Sequence, residues 1–133
     1  MVFLDTMGLV AYINSRDPFH QQARQVYQAL KAKRVTTDAV LVEVGALLRS
    51  PARRSLALQL KQSIDAASQS GIVEMVHADE ALLERAWIFY GQRPDKAYSL
   101  VDYLSFVVML DKGITEAFTY DHHFEQEGFV KLL

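Results

Sequence analysis

The sequence contains no cysteine, only three prolines and six glycines, and no long apolar run. The lack of cysteine excludes disulfides, thiolate zinc sites and cysteine nucleophiles. No stretch approaches the roughly 18 apolar residues that span a bilayer, so we expect no membrane association. The N-terminus has no basic segment before its apolar start, which argues against a signal peptide. These absences fit a cytoplasmic protein, which is the localisation we expect.

Length and charge set further bounds. The chain has 133 residues, half of them apolar, and its net charge is -2. We expect one domain over residues 1–133, long enough to bury a substantial core. The slight negative charge argues against a passive nucleic-acid coat. It argues less strongly against a nuclease, whose contacts with nucleic acid can be local and metal-mediated.

Short apolar segments alternate with longer amphipathic ones. The pattern predicts strands at about 2–4, 35–36, 72–76, 117–119 and 129–132. It predicts helices at about 6–13, 18–34, 38–49, 51–70, 79–92 and 99–112. Asp38 is the expected N-cap of the third, and Gly113 is expected to end the last. This alternation is typical of βαβ units, so we predict an α/β fold with a mainly parallel sheet of four to five strands, covered by helices on both faces.

Four acidic residues lie against segments that should be buried. Asp5 and Asp121 each follow a predicted strand, whereas Glu43 and Asp102 fall in apolar helical segments. Carboxylates are seldom buried unless they are paired or bind a metal. In parallel α/β sheets, ligands bind beyond the carboxyl ends of the strands. Asp5 and Asp121 should therefore point into such a crevice.

Each acid also has an ordinary structural explanation. Asp5 and Asp121 could be helix N-caps, and the spacing of Ser99 and Asp102 is that of a capping box. Glu43 lies at the edge of an apolar stripe and could extend into solvent. Taken together, four carboxylates suit a hard cation, because oxygen-only ligands favour Mg²⁺ or Mn²⁺ over zinc. Such an ion would lower the pKa of a bound water and stabilise the charge that develops during phosphodiester hydrolysis.

Three segments carry a resemblance to a known family. The first, 3–6, is a strand ending at Asp5. The second, 37–44, leads to Glu43, and the third spans 99–129. The matching positions of the third are Ser99, Asp102, Phe106, Met109, Gly113, Ile114, Ala117, Thr119, Asp121, Phe124, Gly128 and Phe129. In this order and spacing the chain resembles the PIN-domain ribonucleases, especially the VapC-type toxins of toxin–antitoxin modules. Met7 departs from the family, which often has a small hydroxyl residue there, but the acids are unaffected.

The resemblance implies a PIN-like three-layer sandwich and a metal-dependent endoribonuclease. Mg²⁺ would be the cofactor, with Mn²⁺ able to substitute. The implied catalytic and metal-binding residues are Asp5, Glu43, Asp102 and Asp121, of which Asp5 and Asp102 would be direct ligands. The residues implied to orient them by hydrogen bonds are Thr6, Ser99 and Thr119. The resemblance further implies an RNA substrate, a homodimer and a small antitoxin partner bound near the acids.

Two other functions remain open at this point. A PIN-like domain can serve as a non-catalytic module that binds RNA or protein, and a PIN nuclease can act in housekeeping RNA processing. The sequence Asp121-His122-His123 also occurs in a phosphoesterase family, but the further motifs of that longer family are missing. We therefore expect both histidines on a short exposed turn. Arg49, Arg53 and Arg54 form a basic patch that either contacts RNA or simply faces solvent, and we favour solvent.

Overall fold

The computed structural model describes residues 1–133. Five strands alternate with seven helices. The strands are β1 (Val2–Leu4), β2 (Arg34–Thr37), β3 (Val73–Val76), β4 (Glu116–Phe118) and β5 (Val130–Lys131). The helices are α1 (Thr6–Ile13), α2 (His20–Ala29), α3 (Asp38–Leu47), α4 (Arg54–Gln69), α5 (Glu80–Gly91), α6 (Leu100–Lys112) and α7 (His122–Gln126).

The five strands form one parallel sheet in the order β3-β2-β1-β4-β5. The sequence-based prediction of an α/β fold with a parallel sheet is therefore confirmed. The first strand in sequence lies at the centre, and its three residues are buried, as expected for a parallel strand that is covered on both faces. Because all strands are parallel, their carboxyl ends meet at one edge of the sheet, and this edge positions the acids.

The helices lie in two layers. Helices α1 to α4 lie in the connections from β1 to β2 and from β2 to β3. Helices α5 and α6 lie in the connection from β3 to β4, which leads past β1 to the other half of the sheet. Right-handed crossovers place these two sets on opposite faces of the sheet. In agreement, α1 packs against α2, α3 and α4, and α5 packs against α6. None of the helices combines the length and apolar character that a bilayer span requires.

Helix α6 is the most deeply buried helix. Every residue from Tyr103 to Met109 is buried, so the almost entirely apolar pattern of this segment reflects contacts on all sides. Gly113 ends the helix in the left-handed conformation, at φ 65°, as predicted from the sequence. The helix thus holds its own N-terminus, with Asp102, in a fixed position at the edge of the sheet.

Several helix ends differ from the predicted ones. Helix α2 begins at His20 and not at Pro18, because Asp17 caps the preceding turn by accepting the Phe19 N–H at 2.8 Å. It ends at Ala29, and Arg34 belongs to β2. Helix α4 begins at Arg54, after an irregular turn that contains the predicted start, Pro51.

Candidate active site

Asp5 lies at the carboxyl end of the central strand, and only 2% of it is exposed. Its Oδ2 atom accepts hydrogen bonds from the Met7 N–H at 3.3 Å and from the Thr119 hydroxyl at 2.7 Å. Burial raises the pKa of Asp5 to about 7, and the nearby charge of Asp102 adds to this rise, while the Thr119 hydrogen bond opposes it. Asp5 is therefore a carboxylate held in a place that disfavours its charged form.

Asp102 lies in the first turn of α6 and forms a complete capping box with Ser99. The Ser99 N–H donates to Asp102 Oδ2, and the Asp102 N–H donates to the Ser99 hydroxyl oxygen, both at 3.1 Å. Burial raises the pKa of Asp102, the hydrogen bond from the Ser99 N–H opposes this, and the charge of Asp121 raises it further. The capping role and the place in the acidic site therefore coexist in one residue.

Asp121 follows β4 and caps α7, with its Oδ1 atom accepting the His123 N–H at 2.9 Å. The hydroxyl oxygen of Thr119 accepts the Asp121 N–H at 3.0 Å while its proton goes to Asp5. Thr119 thus fixes Asp5 and Asp121 relative to each other, across the two neighbouring strands β1 and β4.

Glu43 reaches the same site from α3 and is half-buried. Burial raises the pKa of its carboxyl group, and the charges of Asp102 and Asp121 raise it further. The Thr6 hydroxyl lies close enough to oppose this rise. However, Thr6 Oγ1 is buried without a hydrogen bond of normal geometry. The Thr6 hydroxyl is therefore a hydrogen-bond donor near Glu43 that has no acceptor of its own.

His123 is the site residue that the sequence analysis missed. It lies in the first turn of α7, half-buried, and not on an exposed turn as predicted; only His122 is exposed. His123 Nδ1 is 3.2 Å from Asp102 Oδ2 and 3.4 Å from Asp121 Oδ1. Because Asp102 Oδ2 is an acceptor, the tautomer that fits this contact carries the proton on Nδ1 and donates it to Asp102. The sequence did contain a signal for this helix: Asp121 is a favourable N-cap residue, and the apolar Phe124 follows it within one turn.

The arrangement fits a divalent cation. No lysine or arginine forms an ion pair with any of the four acids; the basic side chains beside them are the histidines of α7. Local hydrogen bonds use one oxygen of each aspartate, Oδ2 in Asp5 and Asp102 and Oδ1 in Asp121. The other oxygen of each accepts none. One ligand atom from each of Asp102, Asp121 and His123 lies within 4.8 Å of the others. Carboxylate oxygens that accept no hydrogen bond are the type of ligand that Mg²⁺ or Mn²⁺ binds.

None of the four acids lines any of the five main recesses of the surface. The recess along α2, for example, has a volume of about 630 Å³ and is formed mainly by other polar residues. Small-molecule sites are usually enclosed, and the acids line no such pocket among these five.

Residues 2–129 match the family model described as PIN domain, and the chain belongs to the PIN-domain family. The resemblance predicted from the sequence is thereby confirmed. Among its relatives, the chain is 31% identical over 132 residues to the 23S rRNA-specific endonuclease VapC20 of Mycobacterium tuberculosis, in strains CDC 1551 / Oshkosh and ATCC 25618 / H37Rv. The match covers 99% of this chain and 98% of that relative.

A solved structure leads to the same family. The crystal structure of Mycobacterium tuberculosis VapC20, described as a sarcin-ricin loop cleaving toxin, matches with a TM-score of 0.87 and 30% sequence identity. The match covers 98% of this chain and 97% of the other. The similarity to the VapC type therefore extends over the whole fold, including all the elements that carry the acids.

Proposed function

We propose that this protein is a divalent-metal-dependent endoribonuclease and the toxin component of a toxin–antitoxin pair. The observation that carries this proposal is the meeting of Asp5, Glu43, Asp102 and Asp121 at one sheet edge without a lysine or arginine partner. The full-length similarity to VapC20, whose name describes an rRNA-specific endonuclease, supports RNA as the substrate.

The four acids hold the cation, with Asp5 and Asp102 as direct ligands and with Glu43 and Asp121 binding directly or through water. Mg²⁺ is the proposed ion, and Mn²⁺ would substitute for it. When bound, a divalent ion supplies an acidified water and stabilises the negative charge of the transition state. The raised pKa values of Asp5, Glu43 and Asp102 mean that protons compete with the cation for these oxygens.

The neighbouring hydroxyl groups keep the carboxylates in place. Thr119 holds Asp5 and Asp121, and Ser99 holds Asp102. The unengaged Thr6 hydroxyl is available to Glu43 or to a bound water. These hydrogen bonds reduce the movement needed when the cation and the RNA phosphate arrive, which is how preorganised sites lower a barrier.

An antitoxin is the proposed protein partner. A largely apolar groove of about 360 Å³ lies between α3 and α4, and Val42 and Leu58 are 74% and 65% exposed there. Helix α3 also carries Glu43, so a polypeptide in this groove would lie beside the acids. Co-expression with the product of a neighbouring gene tests this proposal. The unmodified chain should form a complex with that product, and Val42→Glu should weaken the complex.

The test of the nuclease is RNA cleavage by the Asp5→Asn variant. A sarcin-ricin loop oligonucleotide is a suitable first substrate in Mg²⁺ or Mn²⁺. We expect the rate to fall at least about a hundredfold, because a cation contributes several kcal/mol to the transition state. Removal of the metal from the unmodified protein with EDTA should lower the cleavage rate to a similar extent. Asp79→Asn is the matched control, because Asp79 is also an N-cap but lies at the start of α5.

The two variants separate chemistry from folding. Asparagine is about as good an N-cap as aspartate, so both proteins should fold. If Asp5→Asn cleaves RNA as fast as Asp79→Asn, the proposed site is wrong. Binding of RNA without cleavage by the unmodified protein, in either metal, would favour a non-catalytic binding module.

A further inference from the structure

A second polar recess lies at the far end of α1 from the acids. Its volume is about 180 Å³, and it lies between the turn that follows α1 and the turn that precedes α4. Its lining residues are Asn14, Ser15, Arg16, Ala52, Arg53 and Leu56. Two arginines from separate turns thus share one small recess to which no acidic residue contributes.

Neither arginine has a partner within the protein. The guanidinium groups of Arg16 and Arg53 form no ion pair, side-chain hydrogen bond or stacking contact, unlike their neighbours. Arg49 donates to the Ala46 carbonyl oxygen and Arg54 to that of Arg49, both at 2.9 Å. Those two arginines therefore satisfy carbonyl groups at the end of α3. The basic patch of the sequence divides into two structural arginines and one, Arg53, that faces the recess.

Other groups of the recess also favour an anion. Helix α4 is the longest helix, and no side chain caps its N-terminus, so its partial positive charge is not offset there. Asn14 is 92% buried, since its exposure is 8%. Its Oδ1 atom accepts the Arg16 N–H at 3.1 Å, and its amide NH₂ group donates to no protein acceptor. The C-terminus of α1 carries a partial negative charge of about half an elementary charge, which disfavours an anion. The two positive charges of the arginines are larger than this.

We propose that this recess binds a backbone phosphate of the RNA at a distance from the cleavage site. Asp5 caps one end of α1 and Asn14 the other, with eight helical residues between them. At 1.5 Å per residue this is about 12 Å. With a rise of 3.4 Å per stacked nucleotide, the contacted phosphate lies roughly three to four nucleotides from the cut. Arginine suits this role because its planar group matches phosphate oxygens.

This inference rests on the proposed function, and binding in EDTA tests it separately from cleavage. The measurement is the affinity for a labelled sarcin-ricin loop RNA, by fluorescence anisotropy, over a series of salt concentrations. For the variant Arg16→Gln/Arg53→Gln we expect about tenfold weaker binding. The slope of log affinity against log salt should become shallower by about 0.7, since each phosphate on a single strand that the protein no longer neutralises removes about 0.7.

Two controls separate a specific contact from general charge and from misfolding. Lys31→Gln/Lys33→Gln removes the same charge between α2 and β2 and should leave the slope unchanged. Arg16→Lys/Arg53→Lys keeps the charge and should restore most of the slope. If the glutamine variant retains the affinity and slope of the unmodified protein, or if the Lys31/Lys33 variant loses as much, the recess is not an RNA site.

Single methylphosphonates along the RNA locate the contact. Neutralising one phosphate three to four nucleotides from the cut should weaken binding by the unmodified protein, with little further effect on the glutamine variant. An equal effect on both proteins at every position would overturn the inference. Failure of cleavage in Mg²⁺ or Mn²⁺, with these binding differences intact, would instead count against the nuclease and leave the recess standing.

Discussion

Asp5 combines near-complete burial with a carboxyl group whose only strong donor is Thr119. In the metal-free protein its pKa of about 7 lies well above the ordinary value of 3.8. The folded state therefore binds this proton more tightly than the unfolded state. The stability that this proton contributes is full below pH 4 and is lost as the pH rises through about 7.

The Asp5→Asn variant should remove this pH dependence. In EDTA at pH 8 we expect its free energy of unfolding to exceed that of the unmodified protein by up to about 4 kcal/mol, since each pKa unit corresponds to 1.36 kcal/mol. Near pH 4 the two proteins should differ little. Urea denaturation over this pH range is the measurement. Parallel pH profiles for the two proteins would show that Asp5 does not carry the raised pKa.

His123 should hold the carboxylate of Asp102 in position through its Nδ1–H group. Loss of such a supporting hydrogen bond typically weakens metal affinity by about 10- to 100-fold. We expect this for His123→Leu in calorimetric titration with Mn²⁺, and a smaller loss for His123→Asn, which keeps a donor. His122→Leu is the control, because His122 is exposed and its Nδ1 lies 3.9 Å from Asp121 Oδ1, beyond hydrogen-bonding distance. Unchanged Mn²⁺ affinity in His123→Leu would contradict the role.

At the scale of the element, α1 owes its place to a single glycine. A Cβ atom at Gly8 would lie 2.1 Å from the Phe118 carbonyl oxygen and 2.6 Å from the Phe118 ring. The backbone of β4 cannot move freely because it is paired with β1 and β5. The close approach of α1 to β4 also keeps Asp5 and Thr119 within hydrogen-bonding distance.

Gly8→Ala should therefore be strongly destabilising. Overpacking of this kind costs about 1–3 kcal/mol and more when the clash is with backbone. Gly45→Ala is the matched control: Gly45 lies inside α3 with nothing within 4 Å of the added methyl group, so helix propensity should stabilise the protein by up to about 1 kcal/mol. Urea denaturation measures both. If Gly8→Ala is as stable as Gly45→Ala, α1 does not pack this closely against β4.

Most elements could be predicted because their signals are local. Asp79 caps α5, Ser99 caps α6 and Gly113 ends it, each where the sequence indicated. The errors have tertiary causes. Asp38 was predicted to cap α3, but Thr37 does so, because the Asp38 carboxylate accepts the Ala78 N–H from a distant segment. The short helix α7 is stabilised by burial of Phe124 beside Phe106 and Phe129, which a five-residue pattern cannot reveal.

At the scale of the whole molecule, a second surface with exposed apolar side chains lies apart from the α3–α4 groove. Ile88 and Leu110 are 54% and 61% exposed and line the same recess between α5 and α6. Large apolar side chains that are exposed together are typical of an interface. This surface supports the homodimer that the family resemblance implies, and it lies on helices other than the groove proposed for the antitoxin.

The variant Ile88→Glu/Leu110→Glu should be monomeric in sedimentation equilibrium, because burying two carboxylates in an apolar interface is unfavourable. The proposed dimer should persist in the variant Val42→Glu, which changes the α3–α4 groove. If the Ile88/Leu110 variant remains dimeric, the dimer contact lies on another surface. If the unmodified protein is monomeric, the proposed homodimer is wrong.

The sequence alone determined the class of fold, the strand that ends at Asp5 and the family, and it singled out the four acids as candidate site residues. These features depend on the periodicity of apolar residues, on turn residues and on the spacing of motifs, all of which can be read along the chain without knowing which distant residues are in contact. The tertiary structure decided which side chains meet. Only folding brings His123 to Asp102, 21 residues away, and leaves Arg53 without a partner while Arg49 and Arg54 bond to carbonyl oxygens. Such contacts depend on how helices from different crossovers pack, and no local pattern encodes that packing.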